Sequence, residues 1–270
     1  MIVTLKNHTM TARIDSIGAQ LISLKSKSGT EYIWQRDPAH WKSSSPLLFP
    51  TVGNCRDGKY TLNGQIYSIP KHGFCRNADF AVSVLSEQEA SFILTDSPET
   101  RAHYPFAFHL KLTYALTEDG IRIHYTVTNP GTGPMYYQLG AHPGFNCPLH
   151  SGERFEDYVL EFEQEGTAGY HSYDLNRMEF NMNSYTPILD HAAVIPLTHE
   201  LFAHDAIFFT DLRSKKVALK NQATGYGVEV SYPDFATVAF WTAAATKAPF
   251  LCVEPWNGSA IRSDEDDNFL

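Results

Sequence analysis

The chain lacks the short signatures that mark several large enzyme classes. It has no Gly-x-Gly-x-x-Gly and no phosphate loop ending in Gly-Lys-Ser/Thr, so two common backbone cradles for nucleotide phosphates are missing. His-Glu-x-x-His and Gly-x-Ser-x-Gly are also absent, which removes the zinc-protease pattern and the nucleophile elbow of serine hydrolases. The four cysteines, Cys55, Cys75, Cys147 and Cys252, lie far apart with no Cys-x-x-Cys, and read as free thiols of a reducing compartment. Basic residues are few: 21 Lys and Arg face 30 Asp and Glu, a net charge of −9. Binding a nucleic acid requires clustered cations to displace counterions, so that partner is not expected, nor is an anionic membrane surface. The most apolar late stretch, Val238 to Val253, is broken by Lys247 and Pro249 and is too short to span a bilayer. Ile2-Val3-Thr4-Leu5-Lys6 alternates like a strand and has no basic region leading into an apolar one, so a cytoplasmic protein is expected. Ser263-Asp-Glu-Asp-Asp267 lacks the glycine and terminal glutamate of an EF-hand loop and reads as a solvated tail.

Material for a core is plentiful. Hydrophobic residues make up 43% of the 270 and charged residues 19%, a globular balance, and a chain of this length can bury about three-quarters of its unfolded surface. Strand signals recur along it, whereas no segment keeps a helical period beyond about two turns. Asn63-Gly64 supplies the positive φ angles of a tight turn inside Tyr60–Ser68, the cleanest hairpin. Further hairpins join Phe80–Leu85 to Ser91–Leu94 and Leu110–Leu116 to Ile121–Val127. In the last of these Ile121, Ile123, Tyr125 and Val127 alternate with Arg122, His124 and Thr126, the pattern of a sheet with one wetted face. Strands are also expected at Met135–Leu139, Ala206–Thr210, Lys216–Lys220, Gly227–Tyr232 and Thr237–Trp241, and short helices within Pro98–Tyr104 and Pro196–His204. With no repeat, linker or composition break, one β-sandwich-like domain over residues 1–270 is expected.

Three segments set polar, catalytically capable side chains among Gly, Pro and aromatics: Pro70-Lys-His-Gly-Phe-Cys-Arg76, Gly140-Ala-His-Pro-Gly-Phe-Asn146 and Phe250-Leu-Cys-Val-Glu-Pro-Trp-Asn-Gly258. A carboxylate at the end of an apolar run loses solvation and needs a partner or a task. Taken alone, Glu254 is either a hydrogen-bonded structural acid or a catalyst. His72 and His142 are each either structural histidines or positioned side chains in rigid loops. Their joint occurrence favours a site.

These segments resemble signatures of the aldose 1-epimerase (galactose mutarotase-like) family: His72-Gly-Phe74, Gly140-Ala-His142-Pro-Gly-Phe-Asn146 and Cys252-Val-Glu254-Pro-Trp256, in the family's order and at comparable distances. Ser45-Pro-Leu-Leu-Phe-Pro-Thr-Val-Gly53 with Asp57-Gly-Lys-Tyr60, and Leu201-Phe-Ala-His-Asp-Ala206, agree as well. The resemblance implies an all-β fold, a large antiparallel β-supersandwich with few short helices. It further implies that His142 is the general acid, Glu254 the general base, His72 a second histidine holding the sugar and Asp205 a substrate-binding aspartate. No metal or cofactor is needed, because mutarotation only removes a proton from the anomeric hydroxyl and delivers one to the ring oxygen. The chain departs from the family twice. Asn54 follows the Val-Gly pair where many relatives carry arginine, so the sugar contact falls to Asn54, is taken over by Arg56 two places on, or is lost. The family usually continues past the Glu-Pro-Trp loop into closing strands, so either a sheet short of an edge or a terminal piece outside this chain is expected.

Several aromatics, Trp34, Trp41, Tyr136, Tyr137, Phe145, Trp241 and Trp256, are able to stack on a sugar, with Trp241 or Trp256 the expected groove lining. The leading expectation is an epimerase for a free aldohexose, acting as a monomer or homodimer. A hexose 6-phosphate is the alternative substrate, since Lys71 and Arg76 flank His72, although Arg76 would serve equally to pair a carboxylate beneath the loop. A non-catalytic sugar-binding protein is the third reading, disfavoured because a binder has no use for a matched acid and base.

Overall fold

The run Phe250–Asn257 becomes the central strand of the sheet that carries the site. In the computed structural model, which describes residues 1–269, this strand pairs with Thr237–Trp241 on one side and with Leu139–Ala141 and Gly144–Asn146 on the other. Ile207–Phe209 and Leu47–Leu48 complete the sheet at its two edges.

Alternation divides this sheet into two faces. Leu251 and Val253, with Val238, Phe240, Ile207 and Phe209, join the main core. That core is continuous with Leu5 and Ile14 of a three-stranded N-terminal sheet, Phe92 and Leu112 of a four-stranded sheet, and Leu160 and Val217 of another. The opposite face carries Cys252, Glu254 and Trp256. Here apolar residues form two smaller clusters, around Trp256, Phe208 and Ala239 and around Trp34, Phe250 and Cys252. Glu254 therefore stands in the strand between two apolar patches.

All pairings between the strands are antiparallel, and strands hold 46% of the residues against 8% in helices. This is the expected all-β architecture of antiparallel sheets with few short helices. The hairpins appear at Lys59–Leu62 with Gln65–Ser68, Ala81–Val84 with Glu89–Thr95, and His109–Leu116 with Ile121–Thr128. Asn63 and Gly64 take the anticipated positive φ angles of 51° and 77°. One helix forms at Pro98–His103, started by a capping box between Ser97 and Thr100. The second expected helix shrinks to a 3₁₀ turn, His199–Phe202.

Two features differ from the expected elements. The strand expected from Met135 begins only at Leu139, where the chain first finds a partner in Asn257. The longest strands, Tyr158–Tyr170 and Thr186–Pro196, have no counterpart among the expected elements. The acidic run Asp264–Asp267 is exposed, as expected, and is also tied to the first hairpin. Thr61 donates to the Asp267 carbonyl at 2.7 Å, Phe269 donates to Thr61 at 2.9 Å, and the Phe269 ring packs on Tyr60 at 4.6 Å, along the edge of the first hairpin. Among the described residues no helix is long and apolar enough to cross a membrane.

Candidate active site

The sheet register brings His142 and Glu254 together. Gly140 pairs with Trp256 and Gly144 with Cys252, so His142, two residues from each glycine, lies directly across from Glu254. The Glu254 Oε2 and His142 Nε2 atoms are 3.1 Å apart, and the residues are 2% and 8% exposed. Burial, reinforced by the Asp205 charge, holds the Glu254 carboxyl well above the usual carboxylate range. Burial, reinforced by the Arg76 charge, lowers the His142 imidazole. Both shifts favour the neutral forms, and the 3.1 Å separation is that of a hydrogen bond between the two groups.

His72 is fixed by its backbone. Its amide donates to the Gly53 carbonyl at 2.7 Å, and the Gly53 amide donates to His72 Nδ1 at 3.0 Å. The accepting Nδ1 leaves the neutral ring's proton on Nε2, which makes His72 a hydrogen-bond donor. Burial, then the neighbouring His142, Lys71 and Arg76, keep its pKa well below that of a free imidazole. The two segments that meet here each demand a glycine. Gly53 has φ +66° and a Cβ there would sit 2.2 Å from that of Ala260; Gly73 has φ +73° and its Cβ would sit 2.1 Å from the Phe49 carbonyl oxygen. His72 itself adopts φ +67° and Asp205 φ +76°. Such conformations cost energy for residues with a Cβ and cluster at functional sites.

Asp205 Oδ1 accepts a hydrogen bond from the Trp241 indole at 2.9 Å, which orients the carboxylate. Trp41 stacks on the His142 ring at 5.0 Å, while Trp241 and His72 meet that ring edge-on at 5.8 and 5.6 Å. These residues line a cleft of about 240 Å³ together with Lys71, Arg76, Tyr173 and Trp256. That is below the roughly 300–1,000 Å³ of pockets for drug-sized ligands and suits one small molecule.

The structure thus brings together His72, His142, Glu254, Asp205, Arg76 and Trp241, and excludes Asn54 from the cleft. The Asn54 amide donates to the Tyr173 hydroxyl at 3.0 Å, so it reaches the cleft only through that side chain. Arg56 does not replace it, being held by Glu179 at 3.2 Å and Asp267 at 2.7 Å. Arg76 pairs no carboxylate beneath the loop; among the described residues its side-chain partner is the Ser43 hydroxyl at 3.1 Å. Of the aromatics, Trp41, Trp241 and Trp256 line the cleft, Trp34 and Phe145 are core, and Tyr136 and Tyr137 face a separate groove. Tyr173 and Phe180 form a cleft wall that the sequence motifs do not contain.

The aldose 1-epimerase family model matches residues 1–263. The chain is 35% identical to the chromosomal LacX protein of Lactococcus lactis over 276 aligned positions, covering all of this chain and 92% of that protein. A galactose mutarotase related enzyme from Lactobacillus acidophilus superposes with TM-score 0.93 at 32% identity, over all of this chain and 89% of the other. A galactose mutarotase-like protein from Lactobacillus casei gives 0.92 at 30%, over all of this chain and 92% of the other.

Proposed function

Given that the chain belongs to the aldose 1-epimerase family, we propose that it interconverts the α and β anomers of an aldohexose by general acid and base catalysis. The observation that carries this reading is the His142–Glu254 pair at 3.1 Å, set in a cleft for one small ligand. The anomeric hydroxyl and the ring oxygen are bonded to the same carbon, so acid and base must act from adjacent positions. With the proton of the pair on His142, Glu254 takes the proton from the hydroxyl while His142 delivers its own to the ring oxygen, which leaves the proton on Glu254. The ring opens to the aldehyde, the C1–C2 bond rotates, and closure on the other carbonyl face reverses the roles. One shared proton supplies both groups, so the pair ends each cycle as it began. His72, donating through Nε2, and Asp205, accepting, hold the sugar hydroxyls. Trp241 closes the wall behind Asp205.

A second reading concerns the substrate. Lys71 and Arg76 line the cleft, and among the described residues neither is paired with a carboxylate. Two cations beside the catalytic pair suit the phosphate of a hexose 6-phosphate. Anomer exchange followed by NMR on glucose, galactose and glucose 6-phosphate tests both readings. Exchange no faster than the buffer rate for all three sugars overturns the epimerase, and the rate ratio between free and phosphorylated glucose decides the substrate.

A further inference from the structure

Cys252 has no part in the proton transfers, yet it adjoins them. It lies two residues before Glu254 on the same face of the central strand, directly opposite Gly144. A ring nitrogen of His142, the Cys252 Sγ and a Glu254 carboxylate oxygen lie within 4.8 Å of one another, and all three residues are buried. We propose that these side chains form a binding site for a thiophilic divalent cation of the Zn²⁺ type, and that occupation of this site stops epimerisation.

The donor set selects the cation. One thiolate, one imidazole and one carboxylate suit zinc, cobalt or cadmium, whereas Mg²⁺ and Ca²⁺ require shells of oxygen atoms. Bond lengths of about 2.0–2.3 Å in a tetrahedral site separate donors by about 3.3–3.6 Å. The His142–Glu254 pair already stands at 3.1 Å and no donor pair is more than 4.8 Å apart, so the cysteine arm has to close by at most about 1.5 Å. Cys252 is fully buried next to His142 and Glu254, which line the cleft, so the cleft is the route by which a cation reaches the three donors.

Binding is a displacement of protons. The thiol gives up its hydrogen, the shared proton of the His142–Glu254 pair leaves with it, and both pass to solvent as the three metal–ligand bonds form. The cation thereby removes the acid and the base in one step. The inhibitory half of the proposal rests on the epimerase reading; the binding half does not, and the two are read separately.

Co²⁺ serves as the probe of binding, because a thiolate ligand gives a charge-transfer band in the near ultraviolet. The full-length protein titrated with Co²⁺ is expected to show this band, and Zn²⁺ to displace it. Cys252→Ser and Cys252→Ala should both lack it while remaining folded by circular dichroism. In the anomer-exchange assay both variants should keep their basal rate, and Zn²⁺ should inhibit them at least about tenfold less strongly than the unchanged protein, since losing a ligand costs no less than losing an outer-shell partner. Mg²⁺ should have no effect. Absence of the band in the folded unchanged protein overturns the site, whether or not any sugar turns over. A band that survives in both variants overturns the assignment to Cys252. Variants as sensitive to Zn²⁺ as the unchanged enzyme overturn the inhibitory role.

Discussion

Glu254 illustrates how one residue's function opposes its stability. A carboxyl held between two apolar patches beside Asp205 favours its protonated form, and among the described residues its side-chain partner is an imidazole that burial also keeps neutral. Glu254→Gln keeps the shape and donates a hydrogen bond to His142, but cannot accept a proton at neutral pH. Exchange above the buffer rate should therefore fall by about 10²–10⁴-fold, with sugar binding, measured by calorimetry, retained through His72 and Asp205. His142→Asn should be comparably slow, and the double variant should lose less than the summed losses, because the two groups act as a unit. Fully additive losses would sink the shared reaction coordinate. The same substitution carries a stability signature. Burial keeps the Glu254 carboxyl protonated to a higher pH in the folded state than in the unfolded chain, where near neutrality the carboxyl is ionised and the imidazole, with a pKa of about 6.5, is mostly neutral. The folded state then binds more protons, so stability declines as pH rises above about 6.5, by at most about 1.4 kcal/mol per pH unit. The lowered His72 pKa has the opposite sense and acts below that point, removing stability as pH falls. Urea midpoints between pH 7 and 8 should show the decline in the unchanged protein and a flat profile in Glu254→Gln. Equal slopes would mean that the pair holds no extra proton.

At the scale of elements, the loop 70–76 is the part most exposed to small changes. Gly73→Ala places a methyl group against the Phe49 carbonyl at a left-handed φ and should cost about 2–4 kcal/mol. Because His72 precedes it, turnover should fall further than stability alone explains. A denaturant midpoint beside an exchange rate measured well below the transition checks both halves, and an unchanged midpoint would mean the loop can shift aside. This loop and the central strand were legible in the sequence because their chemistry is local. Pro70, Gly73 and the apolar run before Glu254 announce themselves, as do the Asn63-Gly64 turn and the alternation of Ile121–Val127. The pairing of His142 with Glu254 was not derivable from local pattern, since it depends on a register between segments more than 100 residues apart; only the family resemblance suggested it. Tyr158–Tyr170 escaped notice because register shifts between Glu161 and Gly169 break its alternation, and Glu163-Gln164-Glu165-Gly166 reads like a loop. Tyr173 and Phe180 reach the cleft from a two-residue-per-strand hairpin with no periodicity to detect. Asn54 misled for a related reason: its neighbours match a motif, but tertiary packing turns its amide to Tyr173.

For the molecule as a whole, global and local charge point in opposite directions. The net charge of −9 repels an anionic ligand at a distance, whereas Lys71 and Arg76 attract it inside the cleft. The Debye length at physiological ionic strength is about 8 Å, so salt screens the distant charges far more than the cleft pair. The same cations help keep the His142 imidazole from charging, Arg76 more than Lys71. A bound phosphate would offset both and make His142 a readier proton acceptor at the ring-closing step, coupling recognition to catalysis. If the substrate is phosphorylated, Arg76→Gln should lower kcat/KM for glucose 6-phosphate by about 10–100-fold, the range for a lost hydrogen bond between charged groups. For free glucose the loss should be smaller by at least about tenfold, since no anion is then left unpaired. Lys71→Met, at an exposed position, should act in the same sense but more weakly. Matching losses on both sugars would assign Arg76 to a hydroxyl contact and return the free aldohexose as the substrate. A kcat/KM for glucose 6-phosphate already far below that for glucose in the unchanged enzyme would do the same without any variant, because the cleft cations would then have no anion to hold.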